Sequence, residues 1–163
     1  MKNNNQRAFL FLELLVAVAL ISTIFVTLFF LQSKLLQIKQ DGIMKVRATY
    51  YAQEAFEVLH YLRATGGWSA ISTPTTGATD HYASFASNTW SLDTRKPTAL
   101  DNLFTRKIQF SKVSRTDNAY GEIVQSGGSD DDGTRKVTVT VSWDNGAKSV
   151  VLDTYLTDWK ESQ

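Results

Sequence analysis

The chain of 163 residues is long enough for one domain with an appendage, because independently folding units run to ~100–150 residues; two large domains are excluded. Lys and Arg number 17 against 16 Asp and Glu, and the net charge of +1 supplies no general attraction to nucleic acid or anionic lipid. The absence of cysteine excludes disulfides, thiolate-bound zinc and thiol nucleophiles together.

The first eight residues, Met1-Lys2-Asn3-Asn4-Asn5-Gln6-Arg7-Ala8, are polar, with the two cations Lys2 and Arg7 and no acid. The positive-inside tendency keeps such a leader in the cytoplasm and carries the residues beyond the apolar run across the membrane. From Phe9 to Leu31 the single charged residue is Glu13. As a helix rising ~1.5 Å per residue this run spans ~35 Å, enough for a hydrocarbon core ~30 Å thick. A secretory signal has a shorter apolar part and a small-residue exit, whereas here the run leads into Gln32-Ser33-Lys34-Leu35-Leu36. The segment reads as a single membrane span with the remainder of the chain outside the cytoplasm.

Glu13 is the anomaly in that span, because a carboxylate inside a membrane helix costs at least about 2.5 kcal/mol and marks a function. Two readings of it stand. If the chain is cut between Ala8 and Phe9, the new amino terminus on Phe9 of one subunit and Glu13 of its neighbour neutralise each other and fix axial register. Alternatively, Glu13 lies near enough to the start of the run to reach the cytoplasmic interface.

The stretch Arg7-Ala8-Phe9-Leu10-Phe11-Leu12-Glu13-Leu14-Leu15 resembles the class III signal of type IV prepilins and pseudopilins. In that family a basic leader ends in a small residue, Phe becomes the first residue of the mature chain, and Glu stands fifth. The resemblance implies cleavage after Ala8 by a prepilin peptidase of the inner membrane and N-methylation of Phe9. It also implies transfer of the helix from lipid into a filament of pilin or pseudopilin subunits, with the pilus assembly machinery as partner. The family most often has Gly before the cut, where this chain has Ala8. The alternative to this reading is an unprocessed single-pass anchor bearing a ligand-binding head.

Between Gln32 and Thr65 there is one glycine, Gly42, and no proline, so the helix is expected to continue into an amphipathic half. Met44, Ala48, Tyr51, Ala55, Val58 or Leu59, and Leu62 recur every three or four residues and form one stripe to pack on the head. Lys45, Arg47, Glu54, Glu57 and Arg63 lie largely off it. Asp41-Gly42 is the weak point of the rod, and Thr65-Gly66-Gly67 ends it.

Ser69 to Asn88 is rich in small and polar residues and contains Pro74, which predicts a connecting loop anchored by Trp68, Tyr82, Phe85 and Trp90; in related pilins this region is variable and exposed. Leu103 to Val113 predicts a strand through Phe104, Ile108 and Phe110, and Ala119 to Gln125 a weaker one. Val137 to Trp143 alternates apolar and polar residues and runs into Asp144-Asn145-Gly146, which predicts a hairpin with a two-residue type I′ turn. Counting outward pairs Val141 with Val150, Val139 with Leu152, Ser142 with Ser149 and Thr138 with Asp153. Three or four antiparallel strands of this size need a cover. The ending Asp153 to Lys160, with the valine-rich strand, resembles the C-terminal part of PilV/GspI-like minor pilins.

No constellation for catalysis emerges. Ser129-Asp130-Asp131-Asp132-Gly133 lacks the alternating spacing of a calcium loop and reads as a solvated loop between strands. His60 and His81 are the two imidazoles, one in the stalk and one in the polar loop. Arg95, Lys96, Arg106, Lys107, Lys112, Arg115, Arg135 and Lys136 lie among Trp90, Phe104 and Phe110. They read as strand-surface charge, with a DNA-binding strip as the lesser reading.

The fold expected is α+β and pilin-like, a long N-terminal helix, half membrane-spanning and half amphipathic, packed on a small antiparallel sheet. The segments are a leader at 1–8, a helix at 9–66 and a head at 67–163. The function expected is that of a non-enzymatic, cofactor-free and metal-free structural subunit of a type IV pilus or type II secretion-like filament. It would be held in the inner membrane before assembly and would afterwards stand in a cell-surface pilus or periplasmic pseudopilus.

Overall fold

The computed structural model describes residues 3–74, 76–77, 79–117 and 121–158, with side chains described from Phe9 onward. The fold is α+β. The chain forms two compact units, residues 1–44 and 45–163. One helix, α1 (Asn3–Gly66), begins in the first and runs on into the second. Asp41-Gly42 does not interrupt it. The helix ends where expected, because Gly67 takes φ 69°, the left-handed conformation that releases the chain from a helix.

In the second unit, the last turns of α1 cover a four-stranded antiparallel sheet of order β4-β3-β5-β6. The strands are β3 (Thr105–Arg115), β4 (Ile123–Val124), β5 (Ser129–Trp143) and β6 (Lys148–Thr157). The expected stripe does bury: Ala48, Ala52, Ala55, Val58 and Leu59 are the helix residues shut from solvent, while Met44, Tyr51 and Leu62 are half-buried. Three of these five are alanines, so small side chains make up much of the buried stripe. Facing them are Phe104, Ile108, Phe110, Val137, Val139, Val141, Trp143 and Leu156, all buried. The ring of Tyr51 meets that of Phe104 at 5.3 Å, and Phe104 meets Trp143 at 5.9 Å. Each large apolar side chain buried here contributes roughly 1.5–3 kcal/mol relative to exposure, which is the main reason the sheet and helix hold together without crosslinks.

The β5–β6 hairpin has the register that the alternation predicts, with Val141 opposite Val150, Val139 opposite Leu152, Ser142 opposite Ser149 and Thr138 opposite Asp153. Asn145 (φ 53°, ψ 28°) and Gly146 (φ 90°) form the tight turn, closed by a hydrogen bond of 3.0 Å from Ala147 N–H to the Asp144 carbonyl. It differs from a two-residue loop in one respect. Asp144 also lies at positive φ, 54°, so pairing stops at Trp143 and Lys148 and the loop is four residues long. Asp tolerates that conformation better than most residues.

Two expectations are corrected. Ser69–Asn88 is not a plain loop. It holds a one-turn helix α2 (Ser69–Ser72) and strand β1 (Tyr82–Ala86), which pairs with β2 (Thr89–Asp93) in a separate hairpin. Ser87 (φ 51°) and Asn88 (φ 59°) form its two-residue turn, the positive-φ geometry that matches strand twist. His81 ties this hairpin to the main sheet through paired 2.8 Å backbone hydrogen bonds with Ile108.

The acidic run is likewise not a loop between strands. Ser129, Asp130 and Asp131 open β5 and pair with Arg115, Ser114 and Val113, and the register shifts between Lys112 and Val113. Asp132, Gly133 and Thr134 lie in that irregularity, where Trp68 Nε1 donates to the Asp132 carbonyl at 3.1 Å and Asp158 N–H to the Gly133 carbonyl at 2.7 Å. Of the weaker strand expected at 119–125, Ile123–Val124 forms as β4, and 119–120 lie outside the described residues. Trp159 and Lys160, part of the C-terminal resemblance, also lie outside them.

Candidate membrane and assembly segment

Residues 9–31 form uninterrupted α-helix, and every one of them is exposed. Leu, Val, Ile and Phe occupy all sides of the cylinder, so no polar face exists for water and no single stripe for a soluble core. It belongs to the one helix, among the described residues, that is long and apolar enough to cross a membrane.

Its hydroxyls are consumed internally. Ser22 Oγ donates to the Val18 carbonyl (2.7 Å), Thr23 Oγ1 to Leu20 (2.8 Å) and Thr27 Oγ1 to Thr23 (2.8 Å). Bonding back to the preceding turn satisfies each O–H, which hydrocarbon would otherwise leave without a partner.

Glu13 is left as the polar exception. It forms neither hydrogen bond nor ion pair among the described residues and is exposed. Phe9, four residues earlier, is 68% exposed. A separation of four puts Phe9 and Glu13 on the same helix face, ~6 Å apart along the axis. The bond between Ala8 and Phe9 lies within α1. Lys2, and the side chains of Arg7 and Ala8, lie outside the described residues.

Several of the remaining candidates in the head stand in ion pairs. Arg106, read from sequence as surface charge, is buried: its Nη1 lies 3.2 Å from Glu54 Oε2 and donates to the Tyr51 carbonyl at 3.0 Å. The signal was present in the parity of the strand, since Phe104, Arg106, Ile108 and Phe110 share one face. Lys107 pairs with Asp80, Lys112 with Asp130, and Lys136 with Asp153. Phe104 and Phe110 are buried, so neither offers a face for stacking on a base.

Asp131 is held on both of its oxygens. Arg115 Nε reaches its Oδ2 at 2.6 Å and Gly133 N–H its Oδ1 at 2.9 Å. Burial opposes its ionisation and is the largest single influence. The hydrogen bonds from Arg115, Thr134 and Gly133, with the charge of Arg115, together outweigh it and hold the carboxyl below its ordinary range. Among the described residues no group of three or more His, Asp or Glu is placed to hold a metal ion.

A further contact carries no signal in the sequence. Asp101, at φ 48°, accepts from Arg47 Nη2 at 3.0 Å and from the Tyr51 hydroxyl, clipping the segment before β3 to α1. That hydrogen bond, then burial and the charge of Asp101, push the Tyr51 phenol above its ordinary pKa. His81 is buried with its ring edge-on to Phe110 at 5.4 Å.

Comparison with protein-family models, with curated proteins and with solved structures gives no match.

Proposed function

We propose that this chain is a pilin-like structural subunit: it is held in the inner membrane by α1, processed between Ala8 and Phe9, and incorporated into a filament through that helix. The observation that carries the reading is the asymmetry of α1. Its first half is apolar on every side, with Glu13 its one charged group from Phe9 to Leu31, and its second half is a one-sided cover for an antiparallel sheet.

Both halves then have a task. Lipid satisfies the apolar cylinder before assembly, and neighbouring helices satisfy it afterwards. Because lipid tails are as apolar as leucine, that exchange gains nothing from leaving water and depends on fit and on polar pairing. Glu13, on the same helix face as Phe9, is the group that such pairing requires. The amino terminus created at Phe9 of an adjacent subunit is the cation proposed for it, and the head is the part presented outside the membrane. The C-terminal resemblance favours a minor subunit over the main filament protein.

The direct test of the assembly role is Glu13→Val. Membrane insertion and head folding should persist, and recovery in sheared filaments should fall at least about tenfold if the pair contributes ~1.4 kcal/mol or more. Recovery equal to wild type would refute the role given to Glu13.

A further inference from the structure

An open groove of about 390 Å³ lies between α1 and the β1–β2 hairpin. Its walls arise from two periodicities. On α1, Glu54 and Glu57 are three residues apart and Tyr61 comes four later, so all three present to one side. On the hairpin, Phe85 and Trp90 are directly opposite each other in register, which puts both rings on one face of the ribbon; their centroids are 5.1 Å apart at an interplanar angle of 55°. The buried side chain of Val58 contributes to the lining.

The charge of the groove is one-sided. Among the described residues no Lys, Arg or His lines it. Glu54 is matched by Arg106, but Glu57 has no ion pair among the described residues, so one carboxylate is uncompensated. The aromatic rings are unusually open: Phe85 is 57% and Tyr61 43% exposed. Ring faces carry negative quadrupole potential, and several of them beside a carboxylate form the arrangement that attracts a soft, weakly hydrated organic cation. A phosphate or carboxylate ligand finds repulsion there, and a neutral apolar one leaves Glu57 facing it without a partner.

We infer that this groove binds a small organic cation of the alkylammonium class, with its charged head among Tyr61, Phe85 and Trp90 and its balance of charge at Glu57. The inference stands independently of filament assembly, since it involves no residue before Glu54.

The test uses the full chain in a non-ionic sugar detergent, so that the micelle carries no ammonium head group. Tryptophan fluorescence and calorimetry monitor titration with choline and with its neutral carbon isostere, in which carbon replaces the quaternary nitrogen. Choline should bind saturably and the isostere at least about tenfold more weakly. Trp90→Ala should weaken choline by between about twofold and thirtyfold, the range from an exposed to a desolvated cation–π contact. Glu57→Gln, an exposed change that leaves the core untouched, should weaken choline and leave the isostere unaltered. Equal binding of choline and isostere would show a merely apolar groove and overturn the inference. So would absence of choline binding, or choline binding insensitive to Glu57→Gln in a variant that melts as wild type does.

Discussion

Glu54 Oε2 lies 3.2 Å from Arg106 Nη1, yet the two side chains are unequally placed: that of Arg106 is 4% exposed and that of Glu54 43%. The inequality gives the pair a direction. Glu54→Ala leaves a guanidinium under α1 without its counter-charge, whereas Arg106→Met leaves a carboxylate that can turn to water. The first should cost about 1–3 kcal/mol, below the full cost of breaking a buried pair because Glu54 is half in solvent, and the second less than about 1 kcal/mol. Chemical denaturation of both variants checks the order. Equal losses would mean that the pair acts as an ordinary surface bridge.

Ala52 is fully buried in the stripe of α1 that faces the sheet. Ala52→Leu adds three carbons where helix and sheet are already in contact, and overpacking of this kind costs about 1–3 kcal/mol. The same change at Gln53, on the exposed side of the helix, should cost less than about 0.5 kcal/mol. Thermal unfolding of the two variants measures the difference.

Acid should loosen the start of β5. The folded-state pKa of Asp131 is depressed below its ordinary 3.8, so its contribution to stability is present above that value and is lost as pH falls through the folded pKa. Asp131→Asn should be less stable than wild type at neutral pH by about 1–3 kcal/mol, the worth of hydrogen bonds to a charged group. It should also lose less stability than wild type between pH 5 and pH 2 on a scale set by ordinary carboxylate titration, about pH 4. Parallel pH profiles for the two proteins would contradict this role.

The parts of the fold legible in the sequence are those where two signals agree. In β5–β6 the alternation of valines and the Asn145-Gly146 turn specify the same register. In α1 the three-to-four spacing of Ala48, Tyr51, Ala55 and Leu59 and the glycines at its end specify the same helix. The β1–β2 hairpin was obscured because its turn is Ser87-Asn88, without glycine, and its strands carry Ser and Ala where an alternating pattern needs bulk. Asp130 and Asp131 resemble a loop by composition. They form strand because Lys112 and Arg115 on the adjacent β3 supply cations across the ladder, a contact between residues far apart in the chain. Of the segment before the head, the helix and the shared face of Phe9 and Glu13 were legible locally, while the proposed partner of Glu13 would come from another molecule and so leaves no signal in one chain.

If Ala8 precedes the cut, its small side chain is part of what the peptidase accepts. Ala8→Glu should leave α1 membrane-inserted but accumulate a precursor that retains Lys2 and Arg7, visible as a slower band on immunoblots of membranes. Maturation at the wild-type rate would place the cut elsewhere.

The central claim, that this chain is processed as a pilin, is tested most directly by the intact mass and N-terminal sequence of the full-length product recovered from its native membrane. The account predicts a chain that begins at Phe9 and is one methyl group heavier than its sequence. A product that still carries Met1 or Lys2 at steady state would contradict it and leave α1 as a membrane anchor for the head.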